Sequence, residues 1–239
     1  MTDAPVIAQP RKDDATEVLQ PVPDAERQIA AAYRTILRCI GEDPTRAGLL
    51  DTPKRASKAM LAMTAGYKVD PRDHARDALF DVDPHGAPST SPLGMVVVRD
   101  IQIHSLCEHH LLPFYGVVHL GYLPGRSVVG LSKVARIADA IARRLQMQER
   151  LTQQLCDALM DVTDARGVVV VVECSHLCMC ARGVKQIGAM TLTSATRGAF
   201  ATDPALLSEF HGLLGMGSQG GARMQPMQCM PIGPPASRL

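Results

Sequence analysis

Four consecutive residues, Cys107, Glu108, His109 and His110, place a thiol, a carboxylate and two imidazoles together before the chain turns apolar. Cys107 and His110 form a Cys-x-x-His pair, a spacing that a turn after a strand can wrap around one metal ion. An isolated pair of this kind is equally compatible with a buried thiol and a partly exposed histidine. The pair therefore predicts a metal site only if the chain supplies further ligands.

The segment ECSHLCMC supplies such ligands. Cys174, His176, Cys178 and Cys180 alternate along it, so on a continuous strand all four side chains would leave the same face of the sheet. The coordination shell of a zinc ion is complete with four ligands, and in a catalytic site one of the four positions is kept for water. Not all of these groups can therefore bind one ion together with the first pair.

Two kinds of metal site stay open on spacing alone. A closed structural site would use four ligands: Cys107, His110, Cys178 and Cys180. It would suit a non-catalytic binding or scaffold protein, whereas three of these ligands plus water would form a catalytic site that lowers the pKa of water to about 7. His109 and His176 would then lie outside the ligand set, where a pKa near 6.5 suits proton transfer at neutral pH.

Basic residues at the start of a predicted helix indicate an anion site. Ser132 occupies the N-cap position of SKVARIADAIARRL, followed by Lys133 and Arg136. Exposed cations in a first helical turn cost about 0.3–1 kcal/mol each, whereas a bound phosphate would reverse the sign and accept free backbone N–H groups. Further cations could enlarge the site: Arg182, Arg55 and Lys58.

The start of the next predicted helix carries Gln148 and Glu149. A carboxylate there usually only complements the helix dipole. It can also accept two parallel N–H bonds, which the ring N–H and amino group of guanine would donate. Metal, phosphate and guanine sites together predict a nucleotide hydrolase.

Length and composition exclude several classes of protein. The 239 residues fit one folded unit, and a net charge of +1 with 3% aromatic residues and no Trp argues against a nucleic-acid partner. The first residues, MTDAPVIAQPRKDDATE, have no apolar core behind a basic end, and no apolar run is long enough to span a membrane, so we expect a protein that is neither exported nor membrane-spanning. Seven cysteines, several beside histidines, favour metal binding in a reducing compartment over disulfides, so we expect a cytoplasmic protein.

Two helices are predicted before the metal motifs. The first, from Pro23 to Gly41, is expected to bury one face, because large apolar residues recur along it at helical spacing. The second has Thr52 as its N-cap and Pro53 at its first position, and ends at Gly66.

The rest of the chain predicts an α+β fold. The chain first predicts two strands, MVVVRDIQIHSL and FYGVVHLGYLPG, and then two helices, SKVARIADAIARRL and QERLTQQLCDALMDV. After them come two more strands, GVVVVVECSHLCMC and AMTLTSATRG, and a last helix capped by Asp203. This order predicts an antiparallel sheet with two antiparallel helices on one face, besides the N-terminal helices. The expected regions are a disordered arm (1–22), a helical region (23–90), a catalytic domain (91–214) and a flexible tail (215–239).

Four motifs in this order and spacing resemble the GTP cyclohydrolase I family: SLCEHHLLPFYG, VVGLSKVARIADAIARRLQMQERLTQQL, HLCMCARGV and TLTSATRGAF. The resemblance covers roughly Pro23 to Leu214. It implies a tunnelling fold (T-fold), in which several subunits assemble into a toroidal homodecamer with active sites at subunit junctions.

The resemblance implies a zinc (Zn2+) enzyme acting on GTP, with Cys107, His110 and Cys178 as metal ligands. By the same resemblance, water would add at C8, His109 and His176 would handle the protons of ring opening, and formate would be released. Ser132 would act near the ribose in the rearrangement that gives 7,8-dihydroneopterin triphosphate, at the start of pterin and folate biosynthesis.

The resemblance also implies a set of substrate-binding residues. Gln148 and Glu149 would bind guanine, and Leu131 and Met147 would line the base pocket. The triphosphate would be held by five cations, the last two from another subunit: Lys133, Arg136, Arg182, Arg55 and Lys58. Cys180 departs from the family pattern, and a thiol there could act as a spare ligand or an oxidation partner of Cys178.

Overall fold

A computed structural model describes residues 23–75, 78–81 and 94–216. The predicted arm (1–22) and residues 217–239 of the predicted tail lie outside the described residues, and the predicted region boundaries stay predictions. No helix in the described ranges has both the length and the apolar character needed to cross a membrane.

The described chain contains seven helices and seven strands. The helices are α1 Ala25–Cys39, α2 Thr52–Met63, α3 Leu131–Ala142, α4 Gln148–Val162, α5 Leu177–Cys180, α6 Ala199–Thr202 and α7 Pro204–Met216. The strands are β1 Leu79–Asp81, β2 Val96–Cys107, β3 Pro113–Leu123, β4 Ser127–Val129, β5 Leu145–Gln146, β6 Gly167–His176 and β7 Thr191–Gly198. Short 3-10 turns occupy Ala65–Lys68 and Pro71–His74.

Both predicted N-terminal helices are present, but their details differ from expectation. No residue of α1 is buried in the single chain, and Ile36 and Ile40 are 50% and 68% exposed, so the predicted buried face is wrong for one subunit. Helix α2 has Asp51 rather than Thr52 at its N-cap and ends at Met63. Gly66 lies beyond it, where a Cβ would come within 2.0 Å of Ala140 O, so this glycine permits close packing against α3.

The main sheet has five strands in the order β5-β2-β3-β6-β7. All neighbours are antiparallel except β5, which pairs in parallel with the end of β2. Strands β1 and β4 form a separate two-stranded ribbon. The sequence pattern thus correctly predicted the four long strands and missed the three short ones.

The sheet is covered on both faces. Alternate residues of β3 and β6, such as Val118 and Val170, pack with α3 and α4 in the main core, which confirms the predicted helix pair on one face. On the other face, Phe200 and Phe210 of α6 and α7 pack on Val169 in a second cluster that the sequence analysis did not predict. The predicted cap of the last helix is present, since Ala205 N donates to Asp203 Oδ1 at 2.9 Å.

The continuous strand predicted for ECSHLCMC is wrong. Strand β6 ends at His176, and Cys178 and Cys180 lie on the helical turn α5. The pairing explains the change: β7 reaches only as far as Cys174, and β3 only as far as His176. Beyond His176, none of the described strands pairs with the chain, and the backbone forms local helical hydrogen bonds instead.

Candidate metal and catalytic site

Two strand ends meet at one edge of the main sheet. Phe114, near the start of β3, pairs with Ser105 of β2 on one side and with His176 of β6 on the other. Cys107 therefore ends β2 close to the point where His176 ends β6, and α5 then brings Cys178 beside them. We call this edge the metal end of the sheet.

The candidate metal site consists of Cys107, His110 and Cys178, whose ligand atoms all lie within 4.8 Å of one another. The loop after β2 folds tightly, because His110 N and Leu111 N both donate to Cys107 O, at 3.3 and 2.8 Å. Cys107 Sγ consequently lies 3.7 Å from His110 Nδ1. Two sulfurs and one imidazole nitrogen suit zinc, and three protein ligands leave a fourth position free.

The electrostatics of the two ligand thiols favour a bound cation. Burial, followed by the neighbouring Cys107, raises the pKa of the Cys178 thiol, and Arg182 acts in the opposite direction. Two adjacent thiolates repel each other, so a positive ion between them would stabilise both.

Cys180 and Cys174 do not join this group. Cys180 Sγ donates to Gln186 O at 3.4 Å and lies 3.7 Å from Ser175 Oγ. Cys174 is fully buried in the main core, where burial raises its pKa to about 12. Among the described residues, the arrangement therefore favours the open three-ligand site over the closed site containing Cys180.

The two candidate proton carriers lie in different surroundings. The His109 side chain is 60% exposed, and its Nδ1 lies 4.0 Å from Cys107 Sγ. His176 is half-buried, stacks on Phe114 with ring centroids 4.6 Å apart, and has its Nε2 2.8 Å from Gln148 Oε1. Burial lowers the pKa of His176, and Glu149 partly offsets this effect.

Glu108 fixes the ligand loop to α4. Its carboxylate forms an ion pair with Arg150, which also donates to Gln146 Oε1 and Leu145 O, both at 3.1 Å. Glu108 N donates to Gln146 O at 3.1 Å. Arg150 was not predicted from the sequence, although it is a cation directly after Gln148 and Glu149 and is able to neutralise the one carboxylate of the ligand motif.

Several predicted substrate residues lie near the metal end. Met147, the N-cap of α4, is half-buried, Gln148 at the first helical position is buried, and Glu149 beside it is exposed. Arg182 is exposed and close enough to Cys178 to influence its pKa.

The start of α3 lies at the opposite end of the sheet, which we call the cation end. It carries Leu131, Ser132 and Arg136, all exposed, and the half-buried Lys133. The predicted N-cap position of Ser132 is wrong, because Gly130 is the N-cap and Ser132 is the second residue of the helix. Val129 N, just before this helix, donates to Tyr122 OH at 3.3 Å. Tyr122 lies eight residues along β3 from Phe114, a distance of about 26 Å.

The remaining predicted cations lie on α2. Arg55 pairs with Asp51 at 3.3 Å in an exposed ion pair, and Lys58 is exposed. The structure thus brings the predicted metal ligands, both histidines and the guanine pair together, and places Ser132, Lys133 and Arg136 elsewhere on the same chain.

Comparisons with known proteins identify the family of this chain. The family model described as GTP cyclohydrolase I matches residues 29–215. The chain is 46% identical over 212 residues to the GTP cyclohydrolase 1 of Rattus norvegicus, with 89% of this chain and 82% of that protein covered. For the proteins of the same name from Leptospira biflexa and Neurospora crassa, identity is 48% over 183 residues and 47% over 189 residues.

The share covered differs between these relatives. The Leptospira biflexa match covers 77% of this chain and 96% of that protein. The Neurospora crassa match covers 79% of this chain but only 58% of that longer protein, which is less than two thirds of its length. Since the family model spans most of the chain, the chain belongs to the GTP cyclohydrolase I family.

Proposed function

We propose that this protein converts GTP and water to 7,8-dihydroneopterin triphosphate and formate, as the start of pterin and folate biosynthesis. The observation that carries the proposal is the cluster of three ligand atoms within 4.8 Å, formed by Cys107, His110 and Cys178, in a chain of this family. His109 and His176 adjoin that cluster and can serve there as proton carriers.

Zinc is the proposed cofactor, held by Cys107, His110 and Cys178. Bound there, it supplies a Lewis acid that makes water a nucleophile at neutral pH. His109, exposed at the ligand loop, and His176, stacked on Phe114, would carry protons to and from the substrate during ring opening. We also propose a cytoplasmic location, because thiolate ligands are preserved in a reducing compartment.

Glu149 is proposed to bind the guanine edge. Its carboxylate is exposed at the start of α4, where it can accept parallel bonds from the ring N–H and the amino group. Met147, immediately before the helix, would contact the base. Arg182 would approach the phosphates from beside Cys178, because it is exposed and close to that thiol.

A second copy of the chain is proposed to complete the site. Ser132 and Lys133 lie at the start of α3, and α3 ends at Ala142, shortly before Leu145 pairs with Leu106 at the metal end, so the length of the helix, about 18 Å, separates them from that end. Assembly into a ring, with a decamer as the proposed state, would bring the cation end and Leu131 of one copy to the metal end of the next.

Arg55 and Lys58 are proposed to bind the triphosphate from another subunit. Both are exposed, and the Arg55 ion pair with Asp51 is exposed enough to exchange partners.

The experiment is to incubate zinc-replete protein with GTP and measure released formate together with neopterin after oxidation. Equal amounts of both products are expected. GTP binding without either product would contradict the proposed function, and formate without neopterin would mean that the reaction stops at a ring-opened intermediate.

A further inference from the structure

The side chain of Gln148 has a fixed orientation. It is only 2% exposed, and its Nε2 lies 3.1 Å from Val172 O and 2.8 Å from Thr191 O, two backbone carbonyls of β6 and β7. Carbonyl oxygens only accept hydrogen bonds, so the donor Nε2 must be the amide atom that faces them. The backbone of two strands therefore determines which way this amide points.

Two threonines support the same orientation. Thr152 Oγ1 donates to Gln148 O at 2.7 Å, so its hydrogen is already used. Thr193 Oγ1 lies 2.6 Å from Thr152 Oγ1 and must donate to it. The lone pairs of Thr193 Oγ1 then face Gln148 Nε2, which lies 3.1 Å away.

The oxygen of this amide determines the state of His176. Gln148 Oε1 lies 2.8 Å from His176 Nε2. An amide oxygen only accepts, so Nε2 must carry a hydrogen, and the neutral ring then has its lone pair on Nδ1. Phe114, stacked within 6° of parallel, keeps the ring in this plane.

We propose that Gln148 is a positioning residue that holds His176 with its hydrogen on Nε2, so that His176 exchanges the reaction proton through Nδ1. This inference rests on the proposed function, in which His176 carries a proton. The family resemblance instead implies that Gln148 binds guanine. Because the Gln148 amide is buried and bonded within the protein through both its nitrogen and its oxygen, guanine is left to the exposed Glu149.

Kinetics of Gln148 variants separate the two roles. Gln148→Met removes the amide at similar length, and we expect kcat to fall at least about tenfold, within the contribution of a positioned proton carrier, while KM for GTP stays within about twofold. Gln153→Met, the same exchange at an exposed position of α4, should change neither constant. A higher KM with unchanged kcat would overturn the inference, because it would identify uniform substrate binding.

Ring nitrogen NMR tests the tautomer without substrate. In histidine-labelled wild-type protein, with the His176 signals identified by their loss in His176→Gln, we expect a protonated Nε2 and an unprotonated Nδ1. Gln148→Met should give a mixture of tautomers, and a hydrogen on Nδ1 in the wild type would overturn the inference. Since this readout needs no turnover, the expected ring signals in a protein inactive on GTP would defeat the proposed function while supporting the position of His176.

Discussion

The two ends of the main sheet differ in how firmly their polar side chains are held by contacts within the chain. At the metal end, the functional side chains are held by the protein itself: His176 by Gln148 and Phe114, and Glu108 by Arg150. At the cation end, Ser132 and Arg136 are exposed side chains on the first turns of α3. One end is preorganised within a single chain, whereas the other presents charges that gain a function only when a ligand or a second copy arrives.

The largest effect is expected from breaking the metal end. Cys178→Ser should reduce formate release to background and remove bound zinc, because two protein ligands hold the ion too weakly. Activity assays and metal analysis of purified protein would measure both losses, with assembly checked by size-exclusion chromatography.

Cys180→Ser is the matched control for this change, since Cys180 Sγ bonds Gln186 O outside the ligand group. It should retain zinc and turnover. Loss of zinc from the Cys180 variant would contradict the three-ligand site and favour the closed site.

Mixing defective subunits tests whether each active site combines the metal end of one copy with the cation end of another. His110→Ala and Arg136→Ala proteins should each be inactive alone, but unfolding and reassembling them together should restore activity. In a random equal mixture, about a quarter of the sites would combine an intact metal end with an intact cation end. No recovery, with mixed assemblies demonstrated by differently tagged subunits, would place both ends of a site on one chain.

A smaller effect is expected from loosening the metal end without touching a ligand. Arg150→Met removes the ion-pair partner of Glu108 and should reduce activity or zinc affinity by about 10–100-fold, as loss of a group that supports metal ligands does. Arg126→Met is the control, because Arg126 is 95% exposed and its ion pair with Asp164 is 4.0 Å long. Equal, wild-type activity of the two variants would show that the Glu108 contact does not orient the ligand loop.

The sequence predicted the elements better than the contacts between them. Period-2 and helical patterns located the long strands and the α3–α4 pair, because burial of one face imposes those patterns. They could not locate the bond between Gln148 and His176, 28 residues apart, or the ion pair between Glu108 and Arg150, 42 residues apart. Such contacts depend on the register of the sheet, which local periodicity does not determine.

The smallest effect is expected from a substitution on α2, where the cations are exposed and not fixed by contacts within the chain. Arg55→Ala breaks an exposed ion pair with Asp51, so the free energy of unfolding should change by less than about 0.5 kcal/mol. If Arg55 binds the triphosphate in the assembled protein, KM for GTP should nevertheless rise by about fivefold, equivalent to roughly 1 kcal/mol. Chemical denaturation and steady-state kinetics on the same sample would measure both. An unchanged KM would show that Arg55 is a solvated surface cation, and the proposed phosphate site would then consist of Lys133, Arg136 and Arg182 with Lys58.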